Sequence, residues 1–137
     1  MSPPVLLPNL FLDRSLGRVK VPRILRAAEL RLVTLAEHYG TPQDEGIEDV
    51  RWIADATTNG WVCLLKDQRV HRNQAERRAV RDLGARCFCL DNQNLTAAEM
   101  AGRYLAAIKE MAVACGDSGP FMYVVRRAKI EPLSLDD

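Results

Sequence analysis

The sequence predicts an α/β domain of three layers, a mainly parallel sheet of about five strands with helices on both faces. Three observations point there. Short β-like apolar runs alternate along the chain with stretches of helical spacing. The intervals between runs are long enough for the helical crossovers that parallel neighbours need. Several runs are apolar throughout, as in strands covered on both sides. At 137 residues the chain is expected to form one domain, its core spanning about residues 9–133 between short flexible tails.

The elements follow in order. Asn9 to Leu12 reads as a buried strand that stops at Asp13. Pro22 suits the first turn of a helix, where a missing N–H is harmless, and Ile24, Leu25 and Ala28 continue it at helical spacing. Arg31 to Leu35 is a second strand. A loop from Gly40 to Gly46 leads to a helix from about Ile47 to Thr58, with Val50, Ile53 and Ala54 as its apolar stripe and Trp52 beside it. Asn59-Gly60 ends that helix, glycine suiting the left-handed position. Trp61 to Leu65 is the clearest strand. Asn73-Gln74-Ala75-Glu76 resembles a capping box opening a helix to about Leu83, closed by Gly84. Arg86 to Leu90 is a fourth strand. Thr96-Ala97-Ala98-Glu99 is a second capping box, opening the longest helix, to about Ala114. Phe121 to Val125 is the last strand.

The composition, 47% hydrophobic and 27% charged, is that of a soluble globular protein. No apolar run approaches the roughly 18–20 residues that cross a bilayer. The N-terminal stretch from Met1 to Pro8 has no basic segment and is broken by prolines, so it is not expected to be a signal peptide, and a cytoplasmic location follows. Cys63, Cys87, Cys89 and Cys115 lie in apolar surroundings without a CxxC pair, and read as buried reduced thiols. Net charge is +1, but from Glu37 to Asp55 six acids face one arginine, and from Lys66 to Arg81 six basic residues face two acids. An acidic pocket beside a basic rim is therefore compatible with a near-neutral chain.

In open α/β sheets ligands bind at the carboxyl ends of the strands. The first strand delivers Asp13 to that edge, the third Lys66 and Asp67, and the fourth Asp91 and Asn92. The second leads into Asp44, Glu45, Glu48 and Asp49. Carboxylates gathered there repel one another unless a cation joins them, and an oxygen-only set suits Mg2+ or Mn2+ better than zinc. Each acid also has a structural reading: Asp13 can cap a turn, Glu48 and Asp49 favour a helix dipole, Asp67 can be solvated, and Glu76 reads as a capping partner rather than a ligand. His38 and His71 have no companion at ligand spacing.

Phe11-Leu12-Asp13-Arg14-Ser15-Leu16-Gly17, followed by Val33 to Gly40, resembles the opening of PIN-like proteins, within them the branch of VapC-type toxin ribonucleases. Glu48 to Ile53 is similar to that family's acid-bearing second helix, and Gly60 to Val70 to its strand ending in a Thr/Lys-Asp step. Weaker similarity runs through Phe88 to Leu90, Asn94 to Thr96 and Gly119 to Phe121. The resemblance spans roughly Asn9 to Leu133, and order and spacing carry it rather than any single motif.

It implies a PIN-like three-layer fold and RNA cleavage dependent on Mg2+ or Mn2+. It also implies an antitoxin protein that blocks the site and, often, a homodimer. Matched position by position, Asp13, Asp49 and Asp67 are the catalytic, metal-binding acids, with Glu48 the substitute if the helix register shifts by one. Arg14, Lys66, Arg69 and Arg72 lie near the same edge and would hold the RNA backbone. The pattern departs in one place: many PIN nucleases carry another acid or Asn shortly after the third, where this chain has Gln68, Arg69 and Val70. The alternative is thus a catalytically weak or inactive PIN-like module that binds RNA or protein. A receiver-type signalling domain fits less well, because only one acid follows the first strand.

Overall fold

The structure, a computed structural model, describes residues 7–137. The proline-broken N-terminal stretch lies largely outside the described residues. Six strands form one sheet in the order β2-β1-β3-β4-β5-β6: β1 is Leu10–Leu12, β2 Leu32–Thr34, β3 Val62–Leu64, β4 Arg86–Leu90, β5 Phe121–Val125 and β6 Ile130–Pro132. The first five are parallel, as the continuous apolar runs require, and β6 runs antiparallel to β5.

The helices are α1 (Lys20–Ala27), α2 (Leu35–Tyr39), α3 (Asp49–Thr58), α4 (Arg69–Arg72), α5 (Gln74–Leu83), α6 (Ala97–Ala106) and α7 (Ile108–Ala114). Successive strand residues point to opposite faces, and that alternation sorts the core into two layers. Leu10 and Leu12, Val62 and Leu64, and Phe88 and Leu90 pack against Val21 and Leu25 of α1 and Tyr104 of α6. Phe11, Cys63, Leu65, Cys87 and Cys89 pack against Trp52 and Ile53 of α3 and Val80 of α5. Every one of these side chains is at most 2% exposed, and full burial of each large one contributes about 1.5–3 kcal/mol. Cys63, Cys87 and Cys89 are buried and all four cysteines are free thiols.

Several element expectations need correction. The second strand stops at Thr34, because Thr34 caps α2: Glu37 N–H donates to Thr34 Oγ1 at 3.1 Å, and Glu37 returns a carboxylate to the Thr34 N–H at 2.9 Å. The expected long helix from Thr96 is two helices, since Ala107 N–H turns back to the Tyr104 carbonyl three residues away. Ala107 at the break and Met111 one turn on both pack into the core, and Val113 is left 80% exposed. The third helix starts at Asp49, with Glu48 its N-cap residue.

β6 is the strand that the sequence hides. It is short and contains Pro132, which only an edge strand tolerates. Beyond it Leu133 and Leu135 pack on the core, and Arg78 donates to Asp137 at 3.0 Å. Gly60 and Gly84 take positive φ at +74° and +76° just after α3 and α5, as their places in the sequence require.

One polar contact ties the two layers together where it matters for the site. Tyr104 is fully buried, and its hydroxyl donates to the Leu65 carbonyl at 2.5 Å and lies 3.1 Å from that of Phe88. The contacts pin the carboxyl end of β3 against the middle of β4. Tyr104→Phe should destabilise the fold by about 1–3 kcal/mol by stranding a buried carbonyl, read as a lower urea midpoint at unchanged m-value.

Candidate functional site

Strand order creates a crevice at a defined place. β1 lies between β2 and β3, so the chain turns back on itself at β1. After β1 it leaves toward the layer of α1, and after β3 toward the layer of α5. The connections part at the carboxyl ends of β1 and β3, which is the switch point where ligands bind in such sheets.

Asp13 stands at that point. Its N–H donates to the Leu64 carbonyl at 3.0 Å, fixing its backbone to the end of β3. Ser15 Oγ donates to Asp13 Oδ2 at 2.6 Å. Asp13 is 4% exposed, and Oδ1 is buried without a hydrogen-bond partner. A bare buried carboxylate oxygen is costly unless a charge partner meets it. Burial raises the Asp13 pKa above its ordinary value; the Ser15 bond opposes this, and the charge of Asp49 adds to it.

Asp49 opens α3, where an acid suits the helix dipole. Trp52 Nε1, one turn on, donates to Asp49 Oδ1 at 2.7 Å, so a core side chain orients this carboxylate. Arg14 holds the start of α3 in place. Its guanidinium donates to the carbonyls of Asp44 at 3.3 Å, Glu45 at 2.6 Å and Ile47, and approaches Asp49 Oδ1 at 3.8 Å. Expected on the RNA rim, Arg14 instead clamps the 43–46 turn to the end of β1. Glu48 is exposed and outside the cluster, so the register of the helix favours Asp49.

Glu76 is the residue that sequence reasoning missed. Asn73 does cap α5, its side chain accepting the Glu76 N–H at 3.0 Å. The reciprocal half of a capping box is missing, because Asn73 N–H already donates to Arg69 of the preceding α4. The Glu76 carboxyl is thereby released, and the Asp49 carboxyl acts on it. Burial, and after it the Asp49 carboxyl, push the Glu76 pKa up to about 7, with Asp13 adding to the shift. The available signal was the helix-forming run from Arg69 to Arg72, which removes the amide that a capping glutamate needs.

The remaining edge acids divide by whether arginine already compensates them. Asp44, 1% exposed, is gripped by Arg18 at 2.8 and 3.1 Å. Asp91 pairs with Arg103 at 2.7 Å. Asp67 accepts the Arg69 N–H at 2.9 Å and lines a pocket with Gln68, Arg72 and the residues after β4. Thus the charge of Asp49 acts on both Asp13 and Glu76, and Asp67 makes its contacts with the Arg69 amide and the pocket on the β4 side. Lys66 is half-buried and Arg69 exposed, and the charge of Arg69 acts on Glu76. Among the described residues no group of three or more His, Cys, Asp or Glu side chains stands placed to hold a metal ion. The donor set nonetheless fits a hard divalent cation: it is oxygen-only, undercompensated, and includes the orphaned Asp13 Oδ1.

With this fold, a parallel sheet with acids converging at its switch point, the chain belongs to the PIN-like domain family, whose pattern matches residues 8–92. It is also 44% identical over 124 residues to a Mycobacterium tuberculosis protein named "Putative ribonuclease VapC45", covering 90% of each chain. No solved structure matches it.

Proposed function

We propose that the chain is a divalent-metal-dependent endoribonuclease that hydrolyses RNA phosphodiesters as the toxin of a type II toxin–antitoxin pair. The observation that carries the reading is the buried, unpartnered Oδ1 of Asp13 beside Asp49 and Glu76. The name of the mycobacterial relative supports the substrate class. Asp13, Asp49 and Glu76 would hold Mg2+ or Mn2+, with Asp67 contributing from the next strand end. Such an ion supplies a Lewis acid for the phosphodiester and acidifies water.

The chain's own residues do the positioning. The main-chain bond to Leu64 and the Ser15 hydroxyl keep Asp13 from rotating away. The Trp52 indole fixes one Asp49 oxygen, and Arg14 sets the height of α3 against β1. Lys66 and Arg69 would meet RNA phosphates, which gives affinity without base specificity, and Arg72 would contact the RNA from the pocket it lines beyond β3. The tail of the reading follows from the same assignment: the protein acts in the cytoplasm, as a homodimer, and an antitoxin covers the acid edge. No described helix is long and apolar enough to cross a membrane.

The test is cleavage of end-labelled single-stranded RNA by the purified chain. Cleavage with Mn2+, abolished by EDTA and restored by added Mn2+, is the expected outcome. Tight RNA binding with no cleavage under any divalent ion would favour the inactive-module reading. Growth arrest on expression, relieved by co-expressing a small protein encoded beside it, tests the toxin pairing separately.

A further inference from the structure

Beside the acid cluster, at the carboxyl ends of β3 and β4, lies a pocket of about 440 Å3. Its lining is Asp67, Gln68 and Arg72 from the segment after β3, and Leu90 with residues 91–94 from the end of β4. The volume falls in the range of small-ligand sites, about 300–1,000 Å3, but with Leu90 as the one apolar residue this pocket reads hydrogen-bonding groups rather than apolar surface. Among the described residues the side-chain amides of Gln68, Gln93 and Asn94 make no hydrogen bond to the protein, whereas the Asn92 side-chain oxygen is engaged by the Asn94 N–H at 2.8 Å. Arg72 makes no ion pair there either. Nothing internal thus satisfies these donors and acceptors.

The charge in the pocket selects its occupant. Asp67 and Asp91 contribute two carboxylates against one guanidinium, Arg72, and Arg103 compensates Asp91 from behind. With Asp91 compensated by Arg103, and by Arg126 at 3.9 Å, the remaining charges of Asp67 and Arg72 balance, so no net positive charge draws a phosphate into the pocket. A neutral group with amino donors would be welcomed by the carboxylates and by the amide oxygens. Strand spacing of about 4.8 Å puts β4 two strands, some 10 Å, from Asp13 at the end of β1. That separation suits a neighbouring nucleotide of a chain whose phosphate lies on the acid cluster.

We infer that this pocket holds an unpaired nucleobase flanking the scissile phosphate, and that it prefers bases bearing an exocyclic amine (adenine, cytosine or guanine) over uracil. The inference rests on the ribonuclease reading and extends it to substrate choice. Single-stranded RNA is read in this way elsewhere, by hydrogen bonds to splayed base edges and stacking on arginine planes. Gln and Asn amides pair two-pronged with adenine, and carboxylates accept from the cytosine amine. Gln68, Gln93 and Asn94 are the specificity residues, and Arg72 is the surface on which the base stacks.

The experiment is cleavage of a randomised single-stranded RNA pool with Mn2+, followed by sequencing of the new ends. Wild type should show one position close to the cut from which uracil is depleted. In the Gln68→Ala/Gln93→Ala/Asn94→Ala variant that depletion should shrink by roughly 5- to 150-fold, the worth of one base-edge pairing, with total cleavage kept within a few-fold. Gln93 and Asn94 are exposed and Gln68 half-buried, all outside the acid cluster, and a matching melting curve checks the fold. Efficient cutting with no positional preference, or with a preference the variant retains, would overturn the pocket and leave the ribonuclease standing. The same pool bound by the Asp13→Asn variant supplies a second readout. Uracil discrimination in binding without cleavage by wild type would sink the nuclease and keep the pocket, and neither binding nor cleavage would overturn both.

Discussion

Asp13→Asn should lower Mn2+-dependent RNA cleavage by at least about 10²- to 10³-fold, the scale on which removing one preorganised charge acts on a rate. The substitution keeps the shape of the side chain, so the Ser15 bond to Oδ2 and the main-chain bond to Leu64 can persist. What is lost is the formal charge next to the unpartnered Oδ1. The sign of the stability change distinguishes this account from simple damage. The folded-state pKa of Asp13 is raised, so the ionised carboxylate costs stability in the metal-free fold at neutral pH. Asn relieves that cost. In EDTA the variant should melt at or above wild type. With Mn2+ at about 100 times its dissociation constant, wild type should gain about 2.7 kcal/mol and the variant much less. A variant that melts earlier in EDTA as well as losing activity would mean that Asp13 is chiefly structural.

Glu76→Gln is the second large effect. Mn2+ affinity should weaken by about 10- to 100-fold, as when a partner of a metal site is removed, and cleavage should fall with it. The pH dependence gives a separate handle. With its pKa raised from 4.5 to about 7, Glu76 holds a proton in the fold that the unfolded chain has already released. Metal-free stability should therefore fall as pH rises from about 4.5 through about 7. Glu76 is half-buried, and screening by the solvent that reaches it limits the difference to about 0.2–1 kcal/mol. Cation binding must expel that proton, so Mn2+ affinity should climb over the same interval and level off above about 7. In Glu76→Gln both slopes should flatten. Isothermal titration with Mn2+ and thermal melts from pH 5 to 8.5 read them.

The parts legible in the sequence are those with a continuous physical signal. β1, β3 and β5, and β4 after Arg86, are apolar because both faces are covered. Asp13 and Asp49 are legible because each directly follows or opens such an element, and the family resemblance places them in register. The parts that were not legible depend on who else competes for a group. Glu76 sits at the third residue of α5, where a capping role looks complete from the sequence. Only the turn of α4 before it shows that the Asn73 amide is already taken. Arg14 looks like a free cation beside Asp13, and only the folded 43–46 turn supplies the carbonyls that engage it. Asp44 and Asp91 look like edge ligands until Arg18 and Arg103 arrive from distant segments. Asp67 ends its strand as expected, but its carboxylate turns to the Arg69 amide and the β4 side. The expected gap after the third acid is thus bridged by a glutamate nine residues further along rather than by a neighbour.

The account turns on where a cation sits. Anomalous diffraction from crystals of the chain soaked in Mn2+ answers this most directly. A manganese peak in contact with Asp13 Oδ1 and within reach of Asp49 and Glu76 is the result predicted. A peak bound by Asp67 and Asp91 with Asp13 still bare, or no peak at the switch point in crystals of protein that cleaves RNA with Mn2+, would contradict it.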